Sequence, residues 1–163
     1  MTEPQPQGVP FRILFVCTGN TCRSPMAEAI ARAEIERRGW AFVEVASAGV
    51  AADDGAPAAP QARQVAVEQG TSLEGHRSRL ADTVPLEQAD LVLAMGPSHV
   101  APLRNRLPPG RVHLLGEFAG LPAGERGVPD PFGADVEMYR RTWRELERLI
   151  HAALDRVAPI VAP

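Results

Sequence analysis

Phe11-Arg12-Ile13-Leu14-Phe15-Val16-Cys17-Thr18-Gly19-Asn20-Thr21-Cys22-Arg23-Ser24-Pro25-Met26 is the stretch on which the reading of the fold turns. Its first part, residues 11 to 16, is a short apolar run of the kind that makes a strand buried on both faces. A polar loop with one glycine follows. Ser24 then reads as a helix N-cap, Pro25 as the first helical residue and Gly39 as the stop. The inner face of that helix is predicted to carry Met26, Ala29, Ile30 and Ala33. Strand, tight polar loop and helix together make the first half of a parallel βαβ unit.

Outward from this unit the pattern repeats. Residues 42 to 46, 89 to 95 and 111 to 115 read as three further buried strands, with helical patterns between or after them. The last helix follows Asp135, a good cap. Val136, Tyr139, Trp143, Leu146, Leu149, Ile150 and Ala153 recur along it every three or four residues, a stripe that core packing explains. Strands alternating with helices, joined by right-handed crossovers, give an α/β fold. The expectation is a single small doubly wound domain over residues 11–158, a four-stranded parallel sheet with helices on both faces. Residues 1–10 are polar and proline-rich and read as a disordered lead-in.

With 163 residues and 45% hydrophobic content the chain suits one domain with a real core. A formal net charge of -3, without a basic patch, argues against nucleic-acid binding. No apolar run approaches the ~20 residues of a membrane span, and the lead-in lacks the apolar segment of a signal peptide. A cytoplasmic monomer is expected. Cys17 and Cys22 are too few and too close for a disulfide scaffold, which leaves chemistry or metal. Metal is not expected, because no His or Cys pair nearby supplies the remaining ligands of a zinc site. No cofactor is expected either.

The loop carries the chemistry. Ligands of open α/β sheets bind at the carboxyl ends of strands, and a helix N-terminus there offers free N–H groups and a positive dipole end. Such a place binds phosphate. Gly19 gives the loop its conformational room. The same field favours a thiolate, so Cys17 is the candidate nucleophile. Arg23, if the loop curls into a cradle, can return to grip two phosphate oxygens in a fork. Ser24 can donate to the Cys17 sulfur and ease its later departure. The lysine of a nucleotide-binding Walker loop is missing. An isolated cysteine is usually inert core; this one is set apart by its strand end, its glycine loop and its Arg-Ser neighbours.

Val16 to Glu28, VCTGNTCRSPMAE, closely resembles the active-site loop of the low-molecular-weight protein-tyrosine phosphatase family. Ser47-Ala48-Gly49, His76, the strand Leu91 to Met95 and Asp130-Pro131-Phe132-Gly133 resemble further family motifs in the same order. The likeness spans roughly Ile13 to Ala153. It implies a metal-free hydrolysis of phosphorylated proteins in two steps. Cys17 forms a cysteinyl-phosphate while Asp130 protonates the leaving group, and Asp130 then activates water. Thr18, Gly19, Asn20, Thr21, Cys22, Arg23 and Ser24 would surround the phosphoryl group, with Phe132 beside the substrate. Without the resemblance Asp-Pro is usually only a turn, and Asp53, Asp54, Asp82 and Asp90 lack even that setting. The resemblance also assigns Asn20, Ser24, Ser47 and His76 to a network that holds the loop. From the residues alone, Asn20 reads equally as a turn residue, Ser47 as a strand-end hydroxyl and His76 as a surface histidine. Cys22 is either a small core residue or, as the family implies, the partner of Cys17 in a reversible disulfide.

Thr21 stands where tyrosine phosphatases carry a branched apolar residue, and Phe132 is followed by Gly133 rather than a second aromatic. Both features resemble the bacterial protein-arginine phosphatase branch. A planar guanidinium wants oxygen partners, whereas a phenyl ring prefers an apolar wall. Phosphoarginine is therefore the expected substrate and phosphotyrosine the alternative. Arsenate reduction, which uses a similar loop, needs a relay of thiols that is lacking after Cys22. A catalytically silent phosphate-binding module would not need every catalytic position filled. The Ala-rich stretch from Val50 to Pro60 follows the Ser47 strand and is expected near the site mouth.

Overall fold

The side chains of Phe11–Cys17 (β1) alternate between two apolar environments, as a strand covered on both faces requires. In the computed structural model, which describes residues 10–121 and 127–161, Ile13, Phe15 and Cys17 join one core and Leu14 and Val16 the other. The first core is closed by Arg23–Arg38 (α1), Pro60–Glu68 (α2), Leu115–Phe118 (α5) and Val136–Val161 (α6). The second lies under Thr83–Gln88 (α3) and Pro97–Arg104 (α4). Val43–Gly49 (β2), Leu91–Ala94 (β3) and Val112–Leu114 (β4) complete a parallel sheet in the order β2-β1-β3-β4. The chain leaves β1 for β2 on one side and returns to β3 on the other. The crevice of a doubly wound sheet opens where the order reverses in this way, and here that point is the carboxyl end of β1, at Cys17.

The expected architecture is therefore the one found, with local corrections. Ser24 is not the N-cap of α1. The helix begins at Arg23, Cys22 takes the cap position without a side-chain cap bond, and the Ser24 hydroxyl is committed to Cys17 and Asn20 instead. Ala33 is exposed rather than on the inner face. The sheet and α6 bury a broad face of α1 that follows Met26, Ala27, Ile30, Ala31 and Ile35, and Ala33 falls outside it. Gly39 ends the helix as expected, at φ 72, and donates its N–H to the Glu36 carbonyl. β2 continues past Ala46 to Gly49, so the Ser47-Ala48-Gly49 motif is strand rather than loop. Asp135 Oδ1 accepts the N–H of Met138 at 3.1 Å and caps α6, which continues to Val161, past residue 158. Of the lead-in, only Pro10 lies among the described residues. No helix among the described residues is long and apolar enough to cross a membrane.

One buried charge braces α1 against α6. Glu34, 5% exposed, is held by Arg37, by Arg38 and by His151 at 3.5 Å. The hydrogen bond from Arg37 leads in pulling its carboxyl down to about 2, against the opposing effect of burial. A carboxylate depressed in the folded state stabilises the fold above its unfolded pKa near 4.5, and that contribution is lost as pH falls through 2. Glu34→Gln should cost about 2 kcal/mol at neutral pH. The deficit, followed by thermal melts across pH, should shrink steadily between 4.5 and 2.

Candidate active site

The loop after β1 has its backbone carbonyls turned outward. Those of Cys17, Thr18 and Thr21 accept the N–H groups of Val50, Ala51 and Ala59, each at 2.9 Å. That of Asn20 accepts His76 Nε2 at 2.7 Å. The segment from Val50 to Ala59 is thus a collar around the outside of the loop. No hydrogen bond among the described residues takes up the N–H groups of Thr18 to Cys22, which leaves a ring of donors at a helix start, the setting that binds an anion. Gly49 is obligatory for this packing, since a Cβ there would sit 2.4 Å from the Thr18 oxygen and 2.9 Å from the Asn20 nitrogen.

Asn20 holds the bend. It is fully buried and adopts a φ of 57, a left-handed conformation that asparagine tolerates better than most residues. Its Nδ2 donates to Ser24 Oγ at 2.8 Å and to Ser47 Oγ at 3.0 Å, and its Oδ1 accepts the Arg79 N–H at 2.9 Å. With the His76 bond, two segments distant in sequence, β2 at Ser47 and residues 76–79, join Ser24 in fixing one residue. The structure therefore brings Asn20, Ser24, Ser47 and His76 together, and the readings of Asn20 as a plain turn residue and His76 as a free surface histidine fall away.

Cys17 is 2% exposed, and its Sγ lies 2.9 Å from Ser24 Oγ. Ser24 already accepts from Asn20, so its single proton goes either to Cys17 or to the more distant Ala48 carbonyl at 3.4 Å. When Cys17 is a thiolate, the shorter bond is the one Ser24 donates. Cys22 differs. Its Sγ meets Tyr139 Oη at 3.2 Å and Thr21 Oγ1 at 3.7 Å, and burial pushes its thiol up. Cys22 stays protonated at neutral pH and is a poor nucleophile. Both cysteines are free thiols.

Arg23 closes the ring. It is 7% exposed; its Nη1 donates to the Val128 carbonyl at 3.2 Å, and Nη2 reaches Thr18 Oγ1 at 3.4 Å and lies 3.5 Å from Asp130 Oδ2. Its Nε is buried without a partner among the described residues, a donor suited to a phosphoryl oxygen. The loop segment carrying Val128 and Asp130 is itself docked against the end of β3. The Val128 N–H donates to the Met95 carbonyl at 2.8 Å, and Gly127, at φ 109, packs so closely that a Cβ would meet that same oxygen at 2.4 Å. Asp130 Oδ1 accepts the Phe132 N–H at 3.1 Å, which sets the carboxylate at the mouth, half exposed. Cys17, Thr18, Gly19, Thr21, Cys22, Arg23, Asp130 and Phe132 line one cavity of about 230 Å³. Thr21 lines that cavity rather than filling space behind it.

Some participants escape a reading of the sequence. Glu28 Oε1 accepts the Ser47 hydroxyl at 2.7 Å, Arg79 supplies a backbone N–H, and Val128 supplies a carbonyl. Glu28 stands within the quoted motif, so it carried a signal; the other two act through backbone atoms, which no residue type reveals. Among the described residues no group of three or more His, Cys, Asp or Glu side chains could hold a metal.

Residues 12–159 match the family model described as low molecular weight phosphotyrosine protein phosphatase. The chain belongs to that family. The protein-arginine-phosphatase of Geobacillus stearothermophilus is 41% identical over 152 residues, covering 92% of this chain and 95% of that protein. The crystal structure of a low molecular weight protein tyrosine phosphatase from T. tengcongensis superposes with a TM-score of 0.83 at 40% identity, covering 89% of this chain and 98% of its own. A mutant of the YwlE arginine phosphatase with a phosphorylated active-site serine gives a TM-score of 0.82 at 37% identity, covering 90% and 95%. In this family setting the cavity belongs to a cysteine-based protein phosphatase.

Proposed function

We propose that this chain removes phosphate from phosphoarginine in proteins, with Cys17, Arg23 and Asp130 as its catalytic residues. Cys17 attacks phosphorus; the P–N bond breaks, and its electron pair takes a proton from Asp130 as the guanidine leaves. Water then attacks the cysteinyl-phosphate, Asp130 accepts the water's proton, and the S–P bond breaks to return the thiolate toward the Ser24 hydroxyl. The N–H groups of Thr18 to Ser24 and the Arg23 guanidinium hold the three phosphoryl oxygens throughout, a preformed field for the charge that develops. Asn20, Ser24, Ser47 and His76 keep the loop in shape. The working setting is the cytoplasm, the enzyme a monomer acting on phosphorylated proteins. Cys22, sharing the cavity with Cys17, is the thiol that condenses with an oxidised Cys17 and spares it from irreversible oxidation.

The observation that carries the arginine assignment is that Thr21, a hydroxyl residue, lines the same cavity as Asp130. Together they offer oxygen acceptors to a guanidinium. The similarity to the Geobacillus protein-arginine-phosphatase supports the same reading. Phe132, 75% exposed at the rim, favours the second reading, phosphotyrosine, because a phenyl ring could lie against it. Parallel assays on phosphoarginine and phosphotyrosine peptides decide between them. The wild type should show the higher kcat/KM on phosphoarginine, and Thr21→Ile should shift the ratio about tenfold toward phosphotyrosine, the worth of one oriented hydrogen bond. A wild type that ranks phosphotyrosine first would sink the arginine assignment and leave the phosphatase standing.

A further inference from the structure

His99 is a buried histidine, 3% exposed, that the chemistry above does not use. It stands in the first turn of α4, behind the loop. Its two ring nitrogens have different partners. The Gly96 N–H donates to Nδ1 at 3.1 Å, which requires a lone pair there and so puts the ring proton on Nε2. Nε2–H then donates to Thr18 Oγ1 at 2.9 Å. Burial, with Arg23 nearby, pulls the His99 pKa down, in keeping with a neutral ring of this single tautomer.

Thr18 Oγ1 also receives Arg23 Nη2 at 3.4 Å. A hydroxyl oxygen has two lone pairs and one proton. With both lone pairs taken by donors behind it, the Thr18 proton has only the open side left. Thr18 lines the cavity with Cys17, Arg23 and Asp130. We propose that His99 is a positioning residue that fixes the Thr18 hydroxyl as a further donor to a phosphoryl oxygen, and that Thr18 in turn steadies the Arg23 guanidinium. The inference rests on the reading of this loop as a phosphate cradle. It gives Thr18 a side-chain role beyond its backbone N–H.

His99 also caps α4 through Gly96, and the test separates the two roles. In His99→Asn the amide oxygen can still accept the Gly96 N–H, but the side chain stops short of Thr18. Inhibition by inorganic phosphate, kcat/KM and thermal melting are measured for wild type, His99→Asn, Thr18→Val and the double variant. Each single variant is expected to raise the phosphate inhibition constant and lower kcat/KM about tenfold. The double variant should be no worse than either single one, because both remove the same bond. Thr18→Ser, which keeps the hydroxyl, should recover most of the loss seen in Thr18→Val. A His99→Asn enzyme that melts early yet binds phosphate like wild type would reduce His99 to a helix cap and overturn the proposal, as would additive losses in the double variant. If His99→Asn does not fold, a Thr18→Val enzyme with unchanged phosphate inhibition overturns it alone. A wild type indifferent to phosphate would remove the cradle reading itself, and the inference with it.

Discussion

Cys17→Ser should abolish turnover, by more than about 10³-fold in kcat, while inorganic phosphate still binds. The two halves of this expectation come from different atoms. Binding resides in the loop N–H groups and in Arg23, whose buried Nε has no partner among the described residues. None of these is touched by exchanging sulfur for oxygen. Attack on phosphorus needs the thiolate, and a serine hydroxyl is not ionised in its place. Cys22 cannot take over, since burial pushes its thiol up and Tyr139 holds it at 3.2 Å. The smaller serine oxygen leaves the loop N–H groups and Arg23 in place around the anion, so the variant should bind phosphate about as tightly as wild type. Calorimetry with phosphate and steady-state hydrolysis make the pair of measurements. Hydrolysis within tenfold of wild type would rule out cysteine chemistry, whereas lost phosphate binding would point to a collapsed loop.

The sequence carried the nucleophile and clamp plainly because they lie on one continuous motif. Cys17 and Arg23 share a loop whose strand and helix are each signalled by local pattern, so the local reading already implied their meeting at the crevice. Asp130 needed the family resemblance, because an Asp-Pro turn carries no mark of where it docks. Its placement is decided by Gly127 and Val128 lying against the end of β3 and by Arg23 reaching back to the Val128 carbonyl. The collar from Val50 to Ala59 was expected at the mouth, but its contribution is three backbone N–H groups, which composition cannot announce. Ser24 misled as a helix cap for a physical reason. A serine before a proline is a good cap, but here the helix already starts at Arg23, and the Ser24 hydroxyl turns toward a cysteine and an asparagine of the loop instead of the helix N–H groups. Met26, Ala29 and Ile30 are buried as read, but the face that a sheet and α6 cover runs on through Ala31, Glu34 and Ile35, which leaves Ala33 outside it. Tyr139 was legible only as a core residue, and no local pattern marked His99. What makes them matter is which loop atom each touches.

Asp130→Asn should lower kcat on phosphoarginine peptides about 10²–10³-fold, the range that general acid catalysis supplies. The substitution preserves the turn, because the asparagine oxygen can still accept the Phe132 N–H that Asp130 Oδ1 accepts at 3.1 Å. The proton is lost. A guanidine leaving group departs as a strong base and needs that proton early, whereas an aryl phosphate with an acidic phenol leaves nearly unaided. The same variant assayed on p-nitrophenyl phosphate should therefore lose far less in the first step. KM on phosphoarginine should rise only modestly, since Arg23 and the loop N–H groups still hold the phosphate and the asparagine carbonyl can still accept from the guanidinium. The contact of Asp130 with Arg23 Nη2 at 3.5 Å is with a carboxylate half open to solvent, so its removal should not unseat Arg23, which keeps Val128 and Thr18. Equal losses on both substrates in the rate of cysteinyl-phosphate formation, followed in single turnover apart from the common hydrolysis step, would mean that Asp130 acts through Arg23 rather than on the leaving group. An undiminished rate on phosphoarginine would place the acid elsewhere, and no other carboxylate lines this cavity among the described residues.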